Sequence, residues 1–540
     1  MDSEYIWTAF PIALLRTASF IDGRERQRKA KMPSSMFVLL PPELFDIIAR
    51  HCAKKELKNL RLVHRQFSKL CERRLFSSVT LESHSKLSHL NCQAFQESSL
   101  NPYVRKFTVI TCPQPDLPRH RFHELIPTPD KNESYSPPSY QGWLRSIREV
   151  GKFVNLEAVK VHFSCDVAAV DDDGESWMLH DWQPRETPSW RSSVLEALIC
   201  GLEHVEFPTP NLKSLTIKNL QNINHKRIVE SKKFKTLLGR IEELRLLIVH
   251  EEDDSDPRYT FEREELHRFF KELPGTWLAR CKSLKRLTIH SQCNWGYYPK
   301  VDWRGLDLPN LTFLQLGKYS FAQEWQIDWI CGMKGLRGLV LDSCHIISKS
   351  EADDMDEEGF VKRPTSNRNQ GLWVDPRRWR HHFSKLGEQL PNLSEVRFGY
   401  DYWTEGQNFE EDLGDVDEER ANRAAYNREY AYNYGPEFGL YKPRYMRFYW
   451  EGYPTPWRKF SWNPEDDDYA TEREERLDRQ ALKNLQKLAQ QRALGPKWAI
   501  STTSEDWKDE WRSDSECPES QSDVEETEDW TSMIQPAELV

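Results

Sequence analysis

The amino-acid sequence predicts an α/β chain, α+β overall, in which a small helical module precedes an irregular solenoid with parallel strands, and both termini are disordered. Three observations support this prediction. A helical period runs through Leu40–Leu81, a Leu-x-x-Leu-x-Leu phrase returns between Leu156 and Phe398, and helical patterns separate its copies. Short strands that alternate with helices pair in parallel, and neighbouring units bury a core that no single unit can form alone.

Length and composition limit the class of protein. The chain has 540 residues, which is too long for one compact core, so several domains or an elongated array are expected. The net charge of −10 argues against nucleic acid as a main partner. The 11 cysteines include no CxxC pair, which favours reduced thiols in the cytoplasm or nucleus over a disulfide framework or a zinc site. Because no apolar run reaches the length of a membrane span, no membrane association is expected.

The N-terminal helical module opens with Leu-Pro-Pro-Glu-Leu, whose prolines suit the first turn of a helix. Leu44 and Ile47 then recur at helical spacing, and a second helix shows the same period from Leu57 to Leu70. A segment of about 40 residues is marginal for an independent core, so part of its apolar surface is expected to be covered by something else. The period alone also fits an ordinary helical hairpin.

The order LPPEL, then the Leu44–Ile47 face, then KNLRLVHRQFSKL and RRLFSSVTL resembles the F-box. The resemblance implies a module that docks on a Skp-type adaptor and, through it, on the cullin of a ubiquitin ligase. Cys52 stands where the family usually has a larger aliphatic residue. The apolar anchors implied for the adaptor contact are Leu40, Pro41, Leu44, Ile47, Leu57, Leu60 and Val63.

The returning phrase predicts one short strand for each copy. Its seven copies are Leu156/Val159/Val161, Leu212/Leu215/Ile217, Ile241/Leu244/Leu246, Leu284/Leu287/Ile289, Leu311/Leu314/Leu316, Leu336/Leu339/Leu341 and Leu393/Val396/Phe398. Steps of 27 and 25 residues lie in or near the range of leucine-rich repeats. Steps of 56 and 57 residues need an insertion or an unrecognised repeat. A set of unrelated αβ units is the alternative.

The segment Asp375–Gly399 (DPRRWRHHFSKLGEQLPNLSEVRFG) resembles the irregular leucine-rich-repeat regions that follow F-boxes in many fungal proteins. Residues two apart on a strand share a face, so the middle residue of each strand is expected to point away from the core. By alternation alone, the substrate-binding surface would comprise Thr216, Arg245, Thr288, Gln315, Val340 and Arg397. This set mixes polar, basic and apolar types and indicates no substrate class.

Other segments are predicted from composition. Val170–Glu175, Glu251–Pro257 and Glu351–Asn367 are predicted to be solvated loops. The aromatic and basic block Tyr426–Trp462 is predicted to hold a final strand, Arg444–Trp450, and to cap the solenoid, with a peptide site or base stacking as alternatives. The domain boundaries follow as a disordered leader over 1–35, an F-box over 36–82, the repeat domain over 83–463, a charged helix within 464–496 and a disordered acidic tail over 497–540.

None of the motifs GxGxxG, GxSxG, GxxxxGK[ST] and HExxH occurs in the chain. The pairs His120/His123 and His381/His382 lack partners at metal spacing and are expected to be loop or packing histidines. We therefore expect no enzyme activity, catalytic residue, metal or cofactor. The expected function is that of a substrate-recognition subunit of a Skp–cullin–F-box ligase with an unknown protein substrate. A scaffold whose F-box binds an adaptor without a ligase is an alternative, and a nucleic-acid-binding repeat protein is a further one.

Overall fold

The computed structural model describes residues 44, 47–49, 51–52, 54–63, 65–83, 85, 87–112, 140–165, 167, 186–250, 264–352, 354–363, 371–399, 444–449, 457–459 and 472–494. The predicted leader, the predicted acidic tail, Leu40, Pro41, His120 and His123 lie outside these residues. The predicted loops Val170–Glu175 and Glu251–Pro257 also lie outside them. Within the described residues the chain mixes helices with an open, mostly parallel sheet, which confirms the α/β class.

The N-terminal helical pair consists of α1 (Lys54–Val63) and α2 (Arg65–Leu75), preceded by helical residues at Leu44 and 47–49. The single helix predicted through Leu57 and Leu70 is therefore divided in two. Ala49, Leu57 and Cys71 are buried together, and Cys52, Leu60, Leu70 and Leu75 pack around them. The pair thus has a small core of its own, and it continues into the sheet through Phe76, whose ring lies 5.4 Å from that of Phe95.

Nine strands form the parallel part of the sheet. They are β1 (Ser78–Glu82), β2 (Lys106–Ile110), β3 (Ala158–His162), β4 (Ser214–Gln221), β5 (Glu243–Val249), β6 (Arg286–Trp295), β7 (Phe313–Phe321), β8 (Gly338–Asp342) and β13 (Glu395–Gly399). Each pairs with the next in this order, and their first residues are all in register. Because β3 pairs directly with β4, and β8 directly with β13, the longest steps between phrases are insertions that place no further strand between these neighbours in the parallel series.

The alternation predicted for the phrase is present in every copy. On β4, for example, Leu215 and Ile217 are buried on the core side, and Leu212 before the strand is also buried. Two further copies precede those found in the sequence: Val104/Phe107/Val109 on β2 and Phe76/Val79/Leu81 on β1. Val and Phe replace leucine in these copies, so the leucine pattern alone did not identify them.

Helices cover the core side of the sheet. They are α3 (Ser88–Glu97), α4 (Tyr140–Arg148), α5 (Pro188–Leu202), α6 (Lys226–Val229), α7 (Lys232–Arg240), α8 (Glu264–Leu273), α9 (Glu324–Gly332), α10 (Trp379–Gln389) and α11 (Glu472–Leu494). Short helical turns add Asn101–Tyr103, Val150–Lys152 and Pro274–Leu278. Residues of these helices, such as Trp143, Leu198 and Phe270, share one continuous core with the inward residues of the strands.

A second, smaller group of strands branches from the carboxyl end of β7. The first half of β7 pairs with β8, and Ser320 and Phe321 pair in parallel with β9 (His345–Ala352). The turn from β8 to β9 passes through Ser343 at φ +52, and Lys318 on β7 also has a positive φ of 56. β12 (Gly371–Val374) pairs antiparallel with β9, β14 (Tyr445–Tyr449) pairs parallel with β9, and β15 (Trp457–Lys459) pairs antiparallel with β14.

The prediction of a solvated loop over Glu351–Asn367 is wrong for the part that the structure describes. Ala352 ends β9, and a hairpin follows from β10 (Asp354–Met355) and β11 (Val361–Arg363). Phe360 is fully buried against Tyr297, with ring centroids 5.5 Å apart. Two of the acidic residues that suggested a solvated loop share one lysine, because Asp356 and Glu358 pair with Lys300 at 2.6 and 3.0 Å.

The C-terminal helix α11, Glu472–Leu494, lies within the predicted range 464–496 and packs on α10. Leu482, Leu485 and Ala489 are buried. Arg492 donates hydrogen bonds to the carbonyl oxygens of Leu390 and Gly387 at 2.8 and 2.9 Å, which satisfies carbonyls at the end of α10.

The strand predicted at Arg444–Trp450 is present as β14, but it is not the final strand of the parallel series. It pairs with β9 in the second group of strands and not with β13. The reason is that the insertion after β8 supplies an edge strand of its own, β9, to which β14 adds. Tyr445 of β14 still contacts α10 of the last unit, because its hydroxyl accepts a hydrogen bond from the backbone N–H of Trp379 at 3.0 Å. The predicted cap over the parallel series stays a prediction.

Candidate protein-interaction site

The helical pair exposes large aliphatic side chains. Leu44 is 40% exposed, Ile47 is 48% exposed and Leu62 is 79% exposed. Leu44 and Ile47 are three residues apart and both helical, so they lie on neighbouring positions of one helix face. Leu44 and Ile47 belong to the predicted adaptor contact. Leu62 does not belong to that predicted contact, because it lies outside the helical period that relates Leu57 to Leu60.

The remaining predicted adaptor residues divide between two roles. Leu57 is 5% exposed and Leu60 packs partly against the same core, so both support the fold of the helical pair. Val63 ends α1. Leu40 and Pro41 lie outside the described residues. A sequence period marks which residues share a helix face, but it does not tell whether that face meets the module's own core or a partner.

The six predicted substrate-facing residues form one row across the sheet. Thr216 pairs with Arg245, Arg245 with Thr288, Thr288 with Gln315, Gln315 with Val340 and Val340 with Arg397. They occupy strands β4 to β8 and β13, on the side opposite the core. Strand alternation therefore located the row, and a substrate contact there stays a prediction.

Access to this row is uneven. Thr216 and Thr288 are buried, at 9% and 4% exposed, because each is a short side chain beside the longer Arg245 on the strand between them. The Arg245 side chain is itself only 11% exposed. Gln315 and Val340 are half-buried, and the Arg397 side chain is 50% exposed. The reachable part of the row lies toward β7, β8 and β13.

A second outward row, two residues earlier on each strand, was missed in the sequence. It runs through Glu243, Arg286, Phe313, Gly338 and Glu395, which are paired neighbours on β5 to β8 and β13. The same alternation rule places residues two apart on one face. The same alternation therefore predicts that the first residue of each of these strands also points away from the core.

Ion pairs connect the strands on this face. Glu243 accepts a hydrogen bond from Arg245 Nε at 2.9 Å and lies 3.4 Å from Arg286 Nε, while Ser214 donates to its other carboxylate oxygen at 3.0 Å. Burial opposes ionisation of Glu243, but the two arginines and the Ser214 hydroxyl outweigh it and hold the pKa of this carboxyl below its usual range. Glu243 is therefore anionic at neutral pH and is shared by two cations.

One buried constellation has residue types found in hydrolases. His250 lies between Asn222 and Ser291, with Nδ1 3.2 Å from Asn222 Nδ2 and Nε2 2.9 Å from Ser291 Oγ. The donor in each of these two contacts depends on which ring nitrogen carries the proton. Burial lowers the pKa of His250 to about 3. The ring is therefore uncharged at neutral pH, and it joins Asn222, which follows β4, to Ser291 on β6.

The structure also describes one of the predicted packing histidines and part of the aromatic block. His382 is buried between Phe321 and Trp379, as expected for a packing histidine. In the aromatic block, Tyr445 and Phe448 are buried, so they are not positioned to stack on bases. Within the ranges that the structure describes, no cluster of His, Cys, Asp or Glu could hold a metal ion. No helix in the same ranges combines the length and apolar character that crossing a bilayer requires.

The comparisons of the sequence with known proteins assign the chain to no family. The chain matches no protein-family model, and no curated protein matches it at a significant level. The two outward rows and the exposed aliphatics of the helical pair are thus the features on which a functional assignment rests.

Proposed function

We propose that the chain is the substrate-recognition subunit of a Skp–cullin–F-box ubiquitin ligase. In this proposal the helical pair α1–α2, with the helical residues before it, is an F-box that binds a Skp-type adaptor. The parallel strands and their helices form an irregular leucine-rich-repeat solenoid, and its outward face binds the protein substrate. The cullin is reached through the adaptor.

The observation that carries the proposal is the exposure of Leu44 and Ile47 at positions that the F-box resemblance implies for the adaptor contact. Burying a large aliphatic side chain fully contributes about 1.5–3 kcal/mol. Since 1.4 kcal/mol corresponds to a factor of ten in affinity, removing these two contacts is expected to weaken binding at least about tenfold.

The proposed mechanism is proximity and involves no bond chemistry by this chain. The F-box fixes one end of the chain on the adaptor, and the sheet presents the substrate. Holding the substrate near a ubiquitin-conjugating enzyme raises the effective concentration of its lysines at the active site. Helix α2 connects directly to β1 through Phe76, which contacts Phe95. This connection supports the proposed role because it limits the motion of the helical pair relative to the sheet.

The test is recovery of partners from cell extract with the full-length chain. Wild type is compared with Leu44→Ala/Ile47→Ala and with a control, Leu87→Ala/Leu90→Ala, which truncates two other exposed leucines, at helix α3. We expect wild type and the control to recover a Skp-type adaptor together with a cullin, and the Leu44/Ile47 variant to lose both. Recovery of adaptor without cullin would favour the non-ligase scaffold. Absence of adaptor from all three would contradict the proposal.

A further inference from the structure

We propose that the outward face from β5 to β13 binds an extended acidic segment that carries one apolar side chain at its centre. This inference names a class of substrate for the proposed ligase subunit. It rests on the proposed function only where it identifies the bound segment as part of a recruited substrate. The binding surface is defined by Arg286, Phe313, Gly338, Val340 and Arg397, and is called the β6–β13 surface below.

The centre of the β6–β13 surface is apolar. Phe313 on β7 is half-buried, and its ring lies over Gly338 on β8: a Cβ built on Gly338 would be 2.6 Å from Phe313 Cδ2. The missing side chain at Gly338 therefore leaves the space that the Phe313 ring occupies. Val340, half-buried and two residues after Gly338, extends the same apolar area. Aromatic residues at the centre of a polar surface are typical anchors of protein interfaces.

Arginines flank this centre on both sides. The guanidinium carbon of Arg286 on β6 lies 4.0 Å from the centroid of the Phe313 ring, and the Arg286 side chain is 43% exposed. On the other side, the Arg397 side chain on β13 is 50% exposed and pairs with Glu395 at 2.8 Å. Arg337, directly before β8, is also exposed. An arginine stacked on an aromatic ring keeps its outer N–H groups directed at a carboxylate partner.

Carboxylates on this face neutralise only part of its positive charge. Glu242 is shared by Lys213 at 2.8 Å and Lys285 at 2.7 Å, and Glu243 is shared by Arg245 and Arg286. In each of these groups two basic side chains contact one carboxylate. The whole chain carries a net charge of −10, so a basic face is not a consequence of its composition. Charge complementarity of this kind selects an acidic partner and steers its approach.

Strand spacing gives the length of the segment. Neighbouring strands lie about 4.8 Å apart, so β6 and β13, with β7 and β8 between them, are separated by about 14 Å. An extended chain covers this distance in about four residues at about 3.3 Å each. A segment that crosses the strands can therefore meet Arg286 and Arg397 with two carboxylates and place an apolar residue between them on Phe313. This predicts the order acidic, any, apolar, any, acidic.

The test is a fluorescence-anisotropy titration of the purified full-length chain with the labelled peptide Glu-Glu-Gly-Phe-Gly-Glu-Glu. Two control probes replace its phenylalanine by alanine or its glutamates by lysines. We expect binding of the first peptide, at least tenfold weaker binding of the alanine probe and no binding of the lysine probe. No binding of the acidic peptide, or equal binding of all three probes, would overturn the inference.

Substitutions on the β6–β13 surface test whether the peptide binds there. Arg286→Gln/Arg397→Gln and Phe313→Ala are each expected to weaken peptide binding at least tenfold. The matched control is Arg105→Gln, which removes an arginine from the same face beside β2, where it pairs with Glu157 and is 47% exposed. Equal loss in this control would contradict a local site. Binding of an oligothymidylate that persists in Phe313→Ala and displaces the peptide would overturn it in favour of nucleic acid.

Adaptor recovery on the same variants separates this inference from the proposed function. Arg286→Gln/Arg397→Gln is expected to recover the adaptor as wild type does. Intact adaptor recovery without peptide binding in wild type would sink the inference alone. Peptide binding without adaptor recovery would instead sink the proposed function and leave the β6–β13 surface as an acidic-segment site.

Discussion

The Asp478 carboxylate accepts a hydrogen bond from the Tyr445 hydroxyl at 2.7 Å, and this buried contact joins helix α11 to strand β14. The same carboxylate accepts a hydrogen bond from the backbone N–H of Arg380 at 3.0 Å and lies 3.3 Å from Arg444 Nε. A buried charge is tolerated when its oxygens are satisfied in this way. Helix α11 is thus held by a polar contact as well as by its apolar face.

Asp478→Ala is expected to destabilise the chain by about 3–5 kcal/mol, because it leaves the buried Arg444 guanidinium without its carboxylate partner. The free energy of unfolding in urea measures this. The control is Glu475→Ala on the same helix, whose pair with Arg479 is more than a third exposed on both sides. Its loss is expected to cost less than about 1 kcal/mol. Equal effects of the two substitutions would contradict the role assigned to Asp478.

The apolar face of α11 provides a second prediction. Leu485→Ala is expected to cost about 2–5 kcal/mol, since Leu485 is 3% exposed and its Cδ1 lies within 3.5 Å of the Cβ position at Gly387 on α10. Leu477→Ala removes the same atoms from a side chain that is 42% exposed, and should change stability by about 0.5 kcal/mol or less. Similar unfolding midpoints for both variants would show that α11 is not docked through this face.

Two helical glycines differ in their surroundings. A Cβ at Gly201 on α5 would be 2.6 Å from the carbonyl oxygen of Ile147, whereas a Cβ at Gly332 on α9 would meet nothing within 4 Å. Alanine has the higher helix propensity, by about 1 kcal/mol in a helix interior and by less at these positions near the helix C-termini. We therefore expect Gly332→Ala to be neutral or stabilising, and Gly201→Ala to destabilise by about 1–3 kcal/mol through overpacking. Thermal unfolding decides this, and stabilisation by both substitutions would contradict the close approach of α5 to α4.

Buried histidines make stability depend on pH. Burial lowers the pKa of His382 to about 3, and the nearby charges of Arg377, His381 and Lys385 contribute to the shift. The unfolded imidazole has a pKa of about 6.5, so below that pH the unfolded state binds more protons than the folded state. Stability is therefore complete above about pH 6.5 and is lost as the pH falls toward about 3.

His382→Phe tests this dependence. Each such histidine contributes about 1.4 kcal/mol per pH unit to the slope between these limits. The variant removes one titrating ring from an aromatic pocket and should show a shallower loss of stability between about pH 6.5 and about pH 5. The comparison is of slopes, so a change in absolute stability does not affect it. An unchanged slope would contradict the assignment of a neutral, buried His382.

The parallel part of the sheet could be predicted because its signal is local. Leucine at fixed spacing, as in Leu311/Leu314/Leu316, predicts a strand. Because the neighbouring strands have the same pattern, residues at the same position of the pattern pair with one another, which gives the register. The second group of strands could not be predicted in this way. β9 and its hairpin contain an acidic run, and their burial depends on Lys300 and Tyr297, which are distant in the sequence.

The candidate site was predicted in part for a related reason. Alternation identified the row from Thr216 to Arg397, but exposure depends on the sizes of cross-strand neighbours, so the burial of Thr288 beside Arg245 was not visible. In the helical pair, the helical period grouped Leu44 and Leu57 together. Only the packing of three helical segments shows that Leu57 belongs to the core and that Leu44 is exposed.

The most direct test of the central claim is the binding of a purified Skp-type adaptor to the purified full-length chain, measured by isothermal titration calorimetry. We predict a saturable complex for the wild type and for Leu87→Ala/Leu90→Ala, with affinity reduced at least about tenfold in Leu44→Ala/Ile47→Ala. Circular dichroism of the three proteins should be the same. No heat of binding with the wild type, or equal affinity for all three proteins, would contradict the assignment of the helical pair as an F-box.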